Sequence, residues 1–559
     1  MHKRRKLAWS IALVLLLVAA MTPLAAQMAG ELNAQKENDE QIAGMLQVHA
    51  EHLAAGFGEA VGALIDVEDA WAIEDTRRES ETPLVTLMHN GEDELGFDAV
   101  SRTFYCTIGL GNEDWPEVCL TARGEEGVRV AWIDDYTYDW CSDALSEGYR
   151  YELIAYTDAA YEYIGVVFTG LPIVTIHADA EIGDEYVPAR AAVSGAGSDA
   201  IDSAALVHLR GGGFDKGIDK QSYRVEFHGL GSNGQDEKAD VSVLGMEADT
   251  DWLLISNAGD ATCMSNLLSW EMWRMWHENG LAITPLDSRM VEVFVGDAYM
   301  GLYQLMPRIR AEEEIAAMGG DRSTDLAMRL IGAYRETGRA IWEDSMAMGG
   351  CMELRYAPAS MKASKVFEQY EPYVAMSLPE GAEGRLSDEE FTELALRHVD
   401  IEDFMSYYLF LQVCGMPMDN VYNNLYVWAL WDGENYVYRL SPWDMDSSFK
   451  SIYNVEGMND FNFLMELPRR MLELNVGDCR EIIWRIWEEK RQELLSDDAL
   501  YQWFLEWEET INATGAYLRE SERWRSGADV LNLSEMSAYT IQHMNQIEYT
   551  LRETWPIEE

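Results

Sequence analysis

The sequence predicts an α+β protein: a small β-sandwich-like domain over residues 63–170, a mixed core over 171–450, and a helical C-terminal part of that core over 451–559. Three observations carry this prediction. From Ala63 onward, short runs rich in β-branched and aromatic residues are separated by Gly, Asp and Pro turns, the pattern of a small sandwich. From Leu171, similar runs alternate with segments whose apolar residues recur at helix spacing. Beyond Phe449, Met-, Leu- and Trp-rich faces continue at helix spacing to the end.

Ahead of these parts, His2-Lys3-Arg4-Arg5-Lys6 precedes an apolar run from Leu7 to Ala20 and small residues at Ala25-Ala26. Residues 1–26 therefore read as a signal peptide. The run is also near the lower limit for spanning a bilayer, so an uncleaved anchor over 7–20 is the alternative. Both readings predict export, with the chain extracellular or at the cell surface. Residues 27–62 read as a linker or a short helix. His49 and His52 have no third ligand nearby and read as a solvated helix face.

The 559 residues suffice for more than one domain, and 48% apolar content is normal for a full core. The formal net charge of −56 is not ordinary. Such a surface repels nucleic acid and anionic lipid, and attracts basic proteins or divalent cations. Nucleic-acid binding is excluded as a main role, and membrane association is confined to the N-terminal segment. The seven cysteines do not make a disulfide scaffold. Cys106, Cys119 and Cys141 cluster, so one bridge is expected there; Cys263, Cys351, Cys414 and Cys479 read as buried thiols. No CxxC pair offers a structural zinc site.

In the first domain, Arg102 to Ile108, Val128 to Ile133 and Tyr149 to Tyr156 read as strands. Its aromatics Trp115, Trp132, Tyr136, Tyr138 and Trp140 read as core and cross-strand pairs, with stacking on a glycan as the alternative. The core opens with strands at Leu171 to Ile176 and Ala205 to Arg210. The second runs into Gly211-Gly212-Gly213, a turn whose backbone N–H groups can approach phosphates. Lys220 then heads the strand Ser222 to Phe227, in a chain with only eight lysines after residue 26. Asp251 to Ile255 reads as a strand, Ser265 to His277 as a helix, and Met290 to Val295 with Met300 to Met306 as a hairpin. Residues 311–400 read as helices and loops without chemistry. The amphipathic helix Asp400 to Gly415 delivers Asp419 to its loop.

The most informative stretch follows. Asp419, Asn423 and Asn424 share a short loop, and strands Leu425 to Trp431 and Tyr436 to Leu440 flank a turn at Asp432-Gly433. The hairpin closes on Pro442-Trp443-Asp444-Met445-Asp446. It brings hard oxygen ligands at its two ends together, a donor set that suits Mg²⁺. The spacing Asp419-x4-Asn424 equals that of the protein-kinase catalytic loop, where an Asp accepts the substrate proton and an Asn holds metal. A stiffened or solvated loop is the bland alternative.

The run D-N-x-x-N-N-x-Y-x-W…PWDMDSSF resembles the C-terminal signature of the CotH family, the spore-coat-protein-H type of atypical kinases. Three further blocks agree in order: Leu209-Arg210-Gly211 with Lys220-Gln221-Ser222-Tyr223-Arg224; Trp252-Leu253-Leu254 with Asn257, Asp260 and Asn266; and Val291 to Val295 through Gly301-Leu302-Tyr303. The resemblance spans roughly Leu171 to Phe449, with a fitting helical tail. It implies an atypical protein-kinase-like core using ATP and Mg²⁺, with Mn²⁺ as substitute. Asp419 would be the catalytic base, and Asn424, Asn423, Asp444 and Asp446 the metal ligands. Lys220, Arg210, Gly211, Gly212, Gly213 and Asn266 would hold nucleotide, with Glu271 orienting Lys220. Two positions depart from the family pattern: Ser265 stands in place of an arginine, and Met306-Pro307-Arg308 where a glutamate is usual.

The function implied is phosphoryl transfer to Ser/Thr of basic proteins, in the resemblance those of a spore coat or envelope. The alternative is a catalytically weak or inactive kinase-fold scaffold that binds glycan or envelope partners. A two-metal phosphohydrolase built on the same carboxylates is a weaker third reading, since no histidine ligands accompany them.

Overall fold

The computed structural model describes residues 59–556, apart from 62, 90–92, 110–119, 125, 135–141, 196–199, 212–217, 231–235, 278–286, 332–351, 379, 416–419, 421–422, 451–464, 493 and 525–527. The expected leader, most of the linker, His49 and His52 lie outside the described residues. Among those described, no helix is long and apolar enough to cross a membrane.

Residues 59–169 form two sheets with a shared interior. One contains Glu59–Ala60, Leu120–Gly124, Val85–His89 and Asp93–Glu94; the other is built around Arg129–Asp134, Arg150–Tyr156, Ala160–Thr169 and Thr103–Thr107. Val85, Leu87 and Leu120 from the first meet Phe104, Leu153, Ile164 and Val166 from the second. The short β-branched and aromatic runs that suggested a sandwich are thus what fills this core. An unexpected helix, Val67–Glu74, is capped by Asp66, which accepts from the Asp69 N–H. Of the five aromatics weighed for glycan stacking, Trp132 donates its indole N–H to the Val61 carbonyl (3.3 Å) and meets Tyr151 edge-on; the others lie outside the described residues. Of the three cysteines among which one bridge was expected, Cys106 is a buried free thiol, and Cys119 and Cys141 lie outside the described residues.

The core sheet closes on itself. Its strand order is Ile201–Arg210, Val187–Ser194, Ile173–Ala178, Arg289–Val295, Ala298–Pro307, Asp251–Ile255 and Ser222–Leu230, which pairs back onto the first and also carries the short strand Asp236–Lys238 outside the closure. The result is a seven-stranded barrel with a single parallel pairing, Ile173–Ala178 beside Arg289–Val295. Small residues (Ala189, Ala191, Ala205) offset large ones (Tyr223, Trp252, Tyr303) in its interior, as a narrow barrel requires. Alternate residues face outward: Leu253, Ile255, Met290, Leu302 and Met306 pack on the helical body.

That body contains a correction. Within 311–400, read as helices and loops, Leu326–Ile331 and Met352–Tyr356 are strands. They extend the hairpin Asn423–Trp431/Tyr436–Pro442 into a four-stranded sheet. Both are short, and Leu326–Ile331 lies between its two partners, Asn423–Trp431 and Met352–Tyr356; pairing at such range leaves no signal in local propensity. The helices Ile401–Val413, Glu466–Leu474, Cys479–Gln492, Asp497–Ala513 and Ser534–Thr554 pack around this sheet.

One helix, Ala516–Trp524, joins the parts. Arg519 and Glu292 form a buried, bidentate ion pair (2.8 Å for each contact), completed by Tyr299 O–H at 2.5 Å from Glu292 and by Thr169 on Arg519. Burial alone would raise the Glu292 pKa, but Arg519 and these hydrogen bonds hold it below the usual carboxylate value. The pair ties the C-terminal helices, the barrel and the last strand of the first domain together. Arg519→Ala would leave Glu292 buried and uncompensated, and should cost about 3–5 kcal/mol. Urea denaturation would show it; a loss under about 1 kcal/mol would mean the charge is not buried in solution.

Asp403, buried in Ile401–Val413, accepts the Leu440 N–H (2.7 Å) and so seats the hairpin on that helix. Burial, reinforced by Asp400, pushes its carboxyl up to about 8. An unfolded-state Asp ionises near about 4, so the folded chain binds more protons between the two values. Its contribution to stability is therefore complete at low pH and is lost as pH rises towards 8. Asp403→Asn keeps the acceptor and should flatten that decline in denaturation curves taken from pH 5 to 8. An unchanged slope would refute the assignment.

Candidate functional site

The turn after Asp251–Ile255 shapes one wall of the site. Asn257 takes a left-handed backbone and donates its side-chain amide to the Cys263 carbonyl (3.1 Å). Asp260 accepts from the backbone N–H groups of Thr262, Met264 and Ser265. It thereby satisfies donors that the helix Ser265–Trp276 leaves open at its start. Both residues belong to the block noted in the sequence, and their work is to hold this turn.

Lys220 lies beside the turn, only 3% exposed. Its ammonium donates to Glu520 (2.6 Å) and to the Leu302 carbonyl (2.7 Å), and stands 5.0 Å from the centre of the Tyr303 ring. A cavity of about 290 Å³ opens here, lined by Asp219, Lys220, Asp260, Cys263, Glu520 and Trp524 among others. Burial pushes the Cys263 thiol up, so it is an inert wall.

Glu271, expected to orient Lys220, does not. It pairs with Arg274, one turn further along its own helix. The carboxylate comes instead from Glu520 on Ala516–Trp524, the helix that crosses the outer face of Ala298–Pro307. No local signal marks Glu520, whose partner is 300 residues away in sequence. Its arrival does explain one residue of the sequence pattern. Gly301 has φ +91°, and a Cβ there would lie 2.0 Å from a Glu520 carboxylate oxygen. That oxygen also accepts the Leu302 N–H (2.7 Å). Only glycine gives both the conformation and the clearance.

The second wall is the hairpin. Asn266, fully buried, accepts the Met445 N–H (2.8 Å) and donates to Gln304 (2.7 Å). Met445 is thereby anchored, with Asp444 and Asp446 partly exposed on either side. Asp444 and Asn424 both adopt left-handed backbone (φ 54° and 48°), a conformation Asn and Asp tolerate better than most residues. The two ends of the hairpin are stapled. The Asn424 carbonyl accepts from the Trp443 N–H (2.9 Å), and the Asn420 amide donates to the carbonyls of Asn424 (3.0 Å) and Trp443 (2.6 Å). Asn420 is a residue the sequence reading passed over. It stands inside the motif, but its work is visible only from the far strand.

The glycine turn reaches the same place. Gly211 has φ 124°, and Arg210 before it lies over the Trp443 ring, 5.3 Å from its centre. Gly212, Gly213, Asp419 and the Asn423 side chain lie outside the described residues. Among those described, no three His, Cys, Asp or Glu side chains form a metal-holding group. Asp444, Asp446 and Asn424 carry oxygen donors, the ligand type that Mg²⁺ takes.

The Glu520–Gly301 contact yields a test. Gly301→Ala should cost about 2–4 kcal/mol from strain and overpacking, because Glu520 must retreat from Lys220. Thermal denaturation reads the loss; a variant as stable as the parent would show that Glu520 is not seated there.

The sequence and the geometry agree with comparison to known families. The family described as CotH kinase protein matches residues 207–551, from the barrel strand before the glycine turn to the last helix. None of the curated proteins compared matches the chain. The matched span covers most of the chain and includes Lys220, Asn266, the hairpin and the helix that supplies Glu520: this protein belongs to the CotH kinase family.

Proposed function

We propose that the core transfers the terminal phosphoryl group of ATP to Ser or Thr hydroxyls of basic polypeptides. Asp419 accepts the proton of the attacking hydroxyl. Asn424, Asn423, Asp444 and Asp446 would hold Mg²⁺, or Mn²⁺ in its place; when bound, the ion neutralises phosphate charge. Lys220, fixed by Glu520 rather than by Glu271, meets phosphate oxygens from the cavity side. Gly211, Gly212 and Gly213 cover them with backbone N–H groups, while Arg210 and Asn266 hold the turn and the metal-binding segment in register. Such reactions depend on positioning and on charge placed before the reaction begins.

The observation that supports this reading is the convergence on Trp443-Asp444-Met445-Asp446. Arg210 brings the glycine turn to one residue of the segment, and Asn266 brings the pocket helix to another. The net charge of −56 favours basic acceptors, and the N-terminal segment favours an exported enzyme acting on coat or envelope proteins.

The test uses the chain with labelled ATP, Mg²⁺ or Mn²⁺, and a generic basic acceptor. The parent should transfer label, and Asp419→Ala and Asp446→Ala should each lose about 10³-fold or more, roughly 4 kcal/mol of barrier. No transfer together with no metal-dependent nucleotide binding would overturn the reading and leave a kinase-fold scaffold.

A further inference from the structure

Four guanidinium groups converge where the barrel faces the four-stranded sheet. Arg224, on an outward position of Ser222–Leu230, donates to Asp251 (2.9 and 2.5 Å). Arg308, which follows Ala298–Pro307, has its backbone N–H on the Asp251 carbonyl (3.0 Å) and its side chain 3.8 Å from the Asp251 carboxylate. Across from them, Arg329 on Leu326–Ile331 and Arg355 on Met352–Tyr356 share Glu353 (2.8 and 3.1 Å). Arg329 is the register partner of Tyr426, and Arg355 lies over the Tyr426 ring, 6.0 Å from its centre. Tyr426 in turn meets Trp443 at 6.1 Å, one residue before Asp444.

The local charge does not balance. Four cations share Asp251 and Glu353. Glu226 stands 3.7 Å from Arg224, but Lys238 and His228 already bind it. A positive excess here runs against a chain with 98 acidic and 42 basic residues. Two carboxylates can bridge four guanidiniums, but they leave the junction with net positive charge. Arg329 also has its Nε–H buried without a hydrogen bond. Burial and repulsion from Arg224 and Arg355 lower the Arg308 pKa, a penalty that a bound anion would relieve.

We propose that Arg224, Arg308, Arg329 and Arg355 form an anion site beside the Asp444–Asp446 segment, and that it takes a phosphate group. Planar guanidinium forks match phosphate oxygens in pairs, which a set of lysines would not do. The phosphate comes from one of two carriers, the polyphosphate of a nucleotide or a phosphoserine already present on the acceptor polypeptide. The identity of the carrier rests on the phosphotransferase reading; the existence of the site does not.

Calorimetric titration of the full chain at low salt tests the proposal with Mg·ATP, pyrophosphate, a phosphoserine peptide and its unphosphorylated form. The parent should bind at least one phosphorylated probe and not the unphosphorylated peptide. The double variant Arg308→Gln/Arg355→Gln should weaken that binding ten-fold or more, and Arg308→Lys/Arg355→Lys should lose less. Melting temperatures recorded alongside identify any variant that fails to fold, and the single variant Arg308→Gln, at a partly exposed position, then carries the measurement. Weakening confined to Mg·ATP and pyrophosphate assigns the nucleotide, and weakening confined to the phosphopeptide assigns the acceptor. Equal binding by parent and glutamine variants, or no phosphorylated probe bound, overturns the site. A parent that binds phosphate through these arginines but never transfers it overturns the phosphotransferase reading alone.

Discussion

Two neighbouring charges on one helix hold this architecture in place. Arg519 and Glu520 both leave Ala516–Trp524 towards the barrel, and each finds a single buried partner of opposite charge, Glu292 and Lys220. Neither pair is a stabilising ornament. The charges are out of water, so each pair tolerates only the geometry in which both members are satisfied. Through Arg519 the first domain, the barrel and the helices share one buried network; through Glu520 the cavity acquires its carboxylate. The backbone complies: Gly301 is a glycine because the Glu520 carboxylate occupies the space a side chain would need.

Much of the fold was legible because its signals are local. The hairpin strands expected at Leu425 to Trp431 and Tyr436 to Leu440 are Asn423–Trp431 and Tyr436–Pro442, and the helix expected from Ser265 is Ser265–Trp276. In each, residue composition marked the element locally, although Leu425 to Ala429 and Ser265 to Trp273 are buried on every side. Closure of the barrel was not legible. It depends on Ile201–Arg210 pairing with both Val187–Ser194 and Ser222–Leu230, a property of strand order rather than of composition. The strands Leu326–Ile331 and Met352–Tyr356 escaped for a related reason: the first pairs with the distant Asn423–Trp431, and the second pairs only with the first.

The site divides in the same way. Asn266 stood out in the sequence, as did Asp444 and Asp446, and it reaches the segment between the two carboxylates through the Met445 N–H, a contact that a motif residue makes itself. The partner of Lys220 was misassigned to Glu271 by analogy of roles. A glutamate in the run Arg519-Glu520-Ser521-Glu522-Arg523 looks like any solvated helix face, and only the packing shows which of its two carboxylates is buried. The arginines around Tyr426 were hidden for a different reason: they come from four separate strands or strand ends, and a net charge of −56 draws attention away from any local excess of the opposite sign.

The 300 residues between Lys220 and Glu520 also set an order of events in time. A chain made from its N-terminus can complete every barrel strand once residue 307 has emerged, yet the ammonium inside still lacks its counter-charge. More than two hundred further residues must be synthesised before the helix that supplies it exists. Until then Lys220 lacks the carboxylate that balances it and the cavity lacks the wall that Glu520 and Trp524 supply. Synthesis as far as Trp524 is thus written into the site as a condition of its assembly.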